Sequence, residues 1–204
     1  MIGVLIVDDH PMLRDGIAAA IEVEADMEVV GQAGDGFAAV ESFSSLRPDV
    51  TLMDLQMPGM DGLAAIAALR KIDSLARIIV LTTYAGDVQA TRALRAGAAG
   101  YLLKGNLRAR LIDTIRSVQS GRRVVDADVA HDIALHSPTE ALMDREIVIL
   151  HEIARGRSNK EVARSLGLSE DTIKSGLKTI FAKLDVSDRT HAVITAVRRG
   201  IIVL

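Results

Sequence analysis

Five short aliphatic runs recur along the first part of the chain, at residues 3–7, 27–31, 49–54, 77–82 and 100–103. They are apolar along most of their length rather than at every second position. That pattern suits parallel strands covered on both faces, because a sheet with one wet face would alternate. Between the runs, apolar residues fall three and four apart. Met12, Leu13, Ile17, Ala20 and Ile21 show the spacing first. It returns at Ala38, Ala39, Val40 and Phe43, at Leu63, Ile66, Ala67 and Leu69, at Ala90, Ala93 and Leu94, and at Leu107, Leu111, Ile112, Ile115 and Val118. Alternating strand and helix patterns predict an α/β fold, a doubly wound five-stranded parallel sheet with helices on both faces. Aromatic residues make up only 2% of the 204 residues, so the core must be aliphatic.

The runs end in chemistry-bearing residues. Asp8 and Asp9 close the first, Asp54 the third, Thr82 the fourth and Lys104 the fifth. In open parallel sheets ligands bind outside the carboxyl ends of the strands, near the point where strand order reverses. Three carboxylates meeting there repel one another unless a cation neutralises them. An all-oxygen donor set with no His or Cys suits a hard ion such as Mg²⁺, which also meets phosphate. An exposed Asp54 before the turn Leu55-Gln56-Met57-Pro58-Gly59 is then a nucleophile for a phosphoryl group. His10, beside Pro11 at a helix start, reads as a surface residue rather than a phosphoacceptor, and Asp9 alone could simply cap that helix.

The ordered set Asp8-Asp9, Asp54, Thr82 and Lys104 resembles the flavodoxin-like receiver domain of bacterial response regulators. The resemblance implies that Asp54 accepts the phosphoryl group from a histidine kinase, with Mg²⁺ as cofactor. Asp9 and Asp54 would bind the metal directly, Asp8 through water, and the Gln56 backbone carbonyl would supply another ligand. Lys104 would pair with the phosphoryl oxygens, Thr82 would donate its hydroxyl to them, and Tyr101 would turn inward behind it. The family commonly follows the lysine with Pro or an acidic residue. Gly105 stands here instead, and glycine loosens a loop. Gln56 stands where an aspartyl-phosphate phosphohydrolase would carry a second acid, which argues against an enzyme.

Composition narrows the setting. With no cysteine there are neither disulfides nor thiolate metal sites, as in a reducing cytoplasm. No apolar stretch reaches the roughly 18 residues of a membrane span, and Met1 runs into the first strand without a basic leader, so a soluble cytoplasmic protein is expected. Residues 1–120 hold 11 basic and 15 acidic residues, and residues 140–204 hold 11 and 9. A mildly basic second half permits nucleic-acid binding.

That second half is helical in pattern. After a linker, residues 121–139, with room for one short helix, Ile147, Leu150 and Ile153 mark a helix ended by Gly156. Ser158-Asn159-Lys160-Glu161 has the form of a capping box. Gly167-Leu168-Ser169 turns the chain, and Ile173, Leu177, Ile180, Phe181 and Leu184 make the buried stripe of the next helix. Two helices joined by a Gly-containing turn predict a helix-turn-helix. The segment from Asn159 through Ile173-Lys174 and Lys183-Leu184 to Asp188-Arg189-Thr190 is similar to the LuxR-type DNA-binding domain. The whole chain thereby resembles the NarL/FixJ class of response regulators, with a receiver at 1–120 and a small all-α, four-helix DNA-binding domain at 140–204.

On that resemblance, double-stranded DNA is the partner and Lys160, Thr172, Lys174, Ser175, Lys178, Thr179 and Lys183 face it. Ala192, Val193, Ala196 and Val197 would form the face of a homodimer, although the same stripe could equally close the helical core. The apolar tail 200–204 could extend that contact. Two positions depart from the family. Met143 replaces a capping Thr at the first helix, and Gly176 replaces a His two residues after Lys174. These departures leave one rival reading, a domain that signals through protein contacts and no longer binds DNA.

Overall fold

The structure, a computed structural model, describes residues 1–83, 86–135 and 142–202. Its strands and helices in chain order are β1 (Ile2–Val7), α1 (Pro11–Glu22), β2 (Met27–Ala33), α2 (Gly36–Leu46), β3 (Val50–Asp54), α3 (Gly62–Ile72), β4 (Ile78–Thr82), α4 (Asp87–Ala96) and β5 (Gly100–Leu103). A short 3-10 turn, Lys104–Asn106, then leads into α5 (Leu107–Gln119), β6 (Val124–Val125) and α6 (Ala127–Leu135). The remaining helices are α7 (Asp144–Ala154), α8 (Asn159–Leu166), α9 (Glu170–Leu184) and α10 (Arg189–Arg198).

The strands form one parallel sheet in the order β2-β1-β3-β4-β5-β6. It has six strands where the sequence predicts five. The addition is Val124–Val125, which pairs with Gly100 and Tyr101 of β5. Two residues are too few to show any periodicity, so this part of the expected linker gave no strand signal. The expected short linker helix is present as α6, while the rest of the linker, from residue 136, lies outside the described residues.

Burial explains the near-continuous apolar runs. Val4, Ile6, Leu52, Ile79, Leu81 and Leu102 pack with Ile17 and Ile21 of α1 and with Leu111 and Ile115 of α5. Their neighbours along the strands, Leu5, Val7, Met53, Ile78 and Val80, are buried as well, as are Ile66 and Leu69 of α3. Both faces are covered, so the interiors of β1, β3, β4 and β5 are almost wholly apolar, Thr51 apart, and the charged residues come at strand ends. Asp35 and Asp61 start α2 and α3 by accepting the Ala38 and Ala64 amides at 2.9 and 2.8 Å, the usual duty of an N-cap carboxylate.

The chain divides into a first compact unit, Met1–Thr83 with Ala90–Ala127, and a second made of the described residues of 84–89 and those from Asp128 onward. In the second unit Ile149, Leu150 and Ile153 of α7, Val162 of α8, Ile173, Leu177, Ile180 and Leu184 of α9, and Ala192 and Ala196 of α10 share one core. Ser158 and Glu161 make the predicted reciprocal cap of α8. Gly167 takes the left-handed conformation (φ 65°) that ends α8, and Ser169 accepts the Thr172 amide at 3.1 Å to start α9. No helix among the described residues is long and apolar enough to cross a membrane.

Candidate phosphoacceptor site and helix-turn-helix surface

Strand register assembles the first site. Val7 lies opposite Met53, so the next residues, Asp8 and Asp54, emerge side by side at the point where β1 is flanked by β2 and β3. Asp54 lies opposite Leu81, and Thr82 opposite Leu103, which brings Thr82 and Lys104 to the same end of the sheet. Gly62 lets α3 start there: a Cβ at this position would fall 2.1 Å from the Asp54 carbonyl oxygen.

Asp8 and Asp54 are almost wholly buried, at 0% and 2% exposure, so Asp54 is not the exposed residue that the sequence predicts. The Lys104 ammonium lies 2.8 Å from Oδ2 of each. Asp54 Oδ1 accepts the Gln56 amide at 3.2 Å, and Asp8 Oδ1 accepts the His10 amide at 2.9 Å. Burial pushes the Asp54 carboxyl above the usual range, and Lys104 pulls it back only in part. For Lys104 burial acts downward, but its bonds to Asp54 and Asp8 outweigh it and hold the ammonium charged above an ordinary lysine. Tyr101 is fully buried, with its hydroxyl pKa raised by burial and Thr82 acting against that rise. The inward position expected of Tyr101 on switching is therefore occupied already.

Asp9 does not cap α1. The N-cap is His10, with no side-chain cap bond, and Pro11 begins the helix. The Asp9 carboxylate points into the site instead: its buried Oδ1 has no hydrogen-bond donor aligned on it, and His10 Nδ1 lies 2.6 Å away. One atom each from Asp8, Asp9, His10 and Asp54 falls within 4.8 Å of the others. The site therefore fits a hard cation: it is dominated by oxygen donors, carries more carboxylates than Lys104 can neutralise, and leaves Asp9 Oδ1, beside the His10 imidazole, without an aligned donor. His10 is largely exposed, as the sequence suggests, but its imidazole abuts these carboxylates, a contact that sequence reading did not anticipate.

On the second unit, the α9 residues Thr172, Lys174, Ser175, Lys178 and Thr179 are exposed together, with Lys160 at the start of α8. Lys174 is held by Glu170 and Asp171 at 3.4 and 3.5 Å, and Thr172 exchanges a 2.7 Å hydrogen bond with Ser169. Lys183 differs from the others. It is mostly buried and sits 2.8 Å from Glu146 Oε2, the same oxygen that accepts the Met143 amide at 2.7 Å. It joins α9 to α7 rather than standing on the outer face. Met143 contributes no side-chain cap, so only this half of the capping box remains. Gly176 also faces α7, where a Cβ would meet Ile149 Cδ1 at 3.1 Å.

The dimer face read from the sequence needs correction. Ala192 and Ala196 are fully buried in the core of their own unit and offer nothing to a partner. Val193 and Val197 are partly buried against that core, and Ile194, absent from the predicted set, is exposed. Ile201 and Ile202 of the apolar tail are buried in the same core, while residues 203–204 lie outside the described residues.

Comparison with known proteins gives two family matches. The response regulator receiver domain matches residues 4–116, and the luxR family of bacterial regulatory proteins matches residues 140–196. The transcriptional regulatory protein LiaR of Bacillus subtilis is 41% identical over 99% of this chain and 100% of its own length. The nitrate/nitrite response regulator NarP of Escherichia coli is 38% identical over 94% and 92%. Among solved structures, that of the response regulator RcsB bound to DNA matches with a TM-score of 0.73, at 26% identity over 97% of this chain and 98% of that one.

Proposed function

Because the chain belongs to the NarL/FixJ class of response regulators, with a receiver domain and a LuxR-type DNA-binding domain, we propose that phosphorylation of Asp54 by a histidine kinase controls its binding to DNA. It is a regulator, not an enzyme. The observation that carries the proposal is the Lys104 ammonium equidistant from buried Asp8 and Asp54 at the carboxyl end of the sheet.

A carboxylate oxygen of Asp54 attacks the phosphorus of a phosphohistidine or a small phosphodonor. The new P–O bond makes an acyl phosphate as the bond to the donor breaks. Lys104 is already placed to neutralise the phosphoryl oxygens, and such neutralisation is most of what phosphoryl transfer asks of a protein. Asp8, Asp9, Asp54 and the Gln56 carbonyl would hold Mg²⁺, which when bound adds positive charge against the carboxylates and the incoming phosphate. Thr82, buried at the end of β4, donates its hydroxyl to the phosphate, and the already inward Tyr101 keeps the space behind it filled.

We assign the receiver to residues 1–120 and the DNA-binding domain to residues 140–204, in the cytoplasm. Phosphorylation favours a homodimer in which α10 offers Ile194 and the outer edges of Val193 and Val197. The dimer places α9 in two major grooves, at half-sites about one helical turn apart or a multiple of it. Lys160, Lys174 and Lys178 meet phosphates or guanine edges, with Thr172, Ser175 and Thr179 beside them. That RcsB has been solved on DNA supports the assignment. The test is selection from a random duplex pool with and without beryllofluoride and Mg²⁺. A motif enriched only with the phosphoryl mimic is expected. Enrichment in both conditions would uncouple Asp54 from binding, and none in either would favour the protein-contact reading.

A further inference from the structure

Resting on the reading of Asp54 as phosphoacceptor, we propose that Asp126 is a positioning residue for Lys104. Asp126 follows β6 and is 2% exposed. Its amide donates to the Tyr101 carbonyl at 3.0 Å. Its Oδ2 accepts the Leu103 amide at 3.0 Å and the Asn106 side-chain amide at 3.1 Å, and its Oδ1 accepts Arg110 Nη1 at 2.5 Å. One buried carboxylate thus grips the chain on both sides of Lys104 and Gly105.

The grip matters because little else holds that turn. Lys104–Asn106 is a single 3-10 turn with no side-chain cap. Gly105 has open space where a Cβ would stand and no positive φ, so neither packing nor backbone conformation requires a glycine there. What glycine brings is freedom, which works against a lysine that must reach two carboxylates at once. A buried carboxylate is costly unless its oxygens are satisfied, and the partners of Asp126 that come from side chains or the Leu103 amide all lie between Leu103 and Arg110. The pairing of β6 needs no acid at this position, and the hydrogen bonds of the Asp126 carboxylate go to Leu103, Asn106 and Arg110 rather than to α6, which it precedes.

Asp126→Ala in the full-length chain tests the proposal, with acetyl phosphate and Mg²⁺ as phosphodonor system. The rate of Asp54 phosphorylation at saturating donor is expected to fall about tenfold, as reacting groups lose their alignment, and beryllofluoride affinity to fall with it, while Mg²⁺ affinity is not weakened. Asp126→Asn, which keeps an acceptor for the Leu103 amide, recovers part of the rate. In a Lys104→Met background Asp126→Ala has little further effect, since a residue acting through Lys104 cannot act without it. If Asp126→Ala does not fold, Asn106→Ala and Arg110→Met carry the same cycle. A wild-type rate in these variants, or an equal loss with and without Lys104, would overturn the inference while leaving the Asp54 reading intact. A wild-type chain that takes no phosphoryl group removes the Asp54 reading and this inference with it.

Discussion

The Lys104 ammonium lies 2.8 Å from Asp54 Oδ2, although the two residues reach the site from strands separated in the sheet by β4. The same nitrogen holds Asp8, so in this state it offsets repulsion between two buried carboxylates. Lys104→Met is expected to slow phosphorylation of Asp54 about 100-fold, the usual cost of removing one fixed group that stabilises developing charge. Mg²⁺ affinity should rise, because a competing cation has gone. Both are read from phosphodonor kinetics and metal titration, and weaker Mg²⁺ binding would contradict the assignment.

Gly62 and Gly105 provide a matched pair of glycine tests. Gly62→Ala drives a methyl into the Asp54 carbonyl, which is backbone and cannot swing aside. A loss of about 2 kcal/mol in denaturant stability is expected, with slower phosphorylation in the protein that remains folded. Gly105→Ala meets open space and should leave stability unchanged or raise it by about 0.5 kcal/mol.

Gly176 lies inside α9, where alanine is preferred by about 1 kcal/mol, but its Cβ would press on Ile149 Cδ1 at 3.1 Å. That atom is the free end of a side chain and can yield. Gly176→Ala is therefore expected to stabilise the chain by about 0.5 kcal/mol, half of the propensity gain. In an Ile149→Val background, which lacks the opposing methyl, the gain should approach the full value. Thermal melts of the wild type, the two single variants and the double variant decide it, and a gain that does not grow in the Val background contradicts the packing argument.

Acid should weaken the helical unit through Glu152. Burial raises its carboxyl, but Ser165, Arg157 and Arg155 together hold it below the usual range. A depressed folded-state pKa gives stability that is complete above the unfolded value of about 4.3 and lost as pH falls through the folded value. Between about pH 5 and pH 3, Glu152→Gln should therefore show a flatter decline in urea midpoint than wild type. Parallel curves would mean that these arginines do not hold the carboxylate.

Lys178 and Lys183 should separate binding from stability. Lys178 is exposed on α9, whereas Lys183 is paired with Glu146. On a selected DNA site, Lys178→Ala should weaken binding and lower the salt dependence by about one counterion. Lys183→Ala should chiefly lower the melting temperature. The reverse pattern would place the DNA on another face.

The α/β architecture was legible because parallel strands buried on both faces must be apolar throughout, and the acids, Thr82 and Lys104 stood out against those runs. The caps at Ser158 and Ser169 were legible for the same local reason. What escaped was short or tertiary. Val124–Val125 are too few for a pattern, and Asp126 gives no local signal because its partners, Leu103, Asn106 and Arg110, lie 16 to 23 residues away. Lys183 read as part of a basic face because its partner, Glu146, is distant in sequence. Ala192 and Ala196 show the limit of periodicity: an apolar stripe marks burial, and only the packed core shows that this burial is within the chain rather than between two chains.

The most direct test of the account is the intact mass of the full-length chain after incubation with acetyl phosphate and Mg²⁺, alongside Asp54→Asn. The account predicts one phosphoryl group on the wild type and none on the variant. A wild-type chain that gains none, or a variant that still gains one, would contradict it.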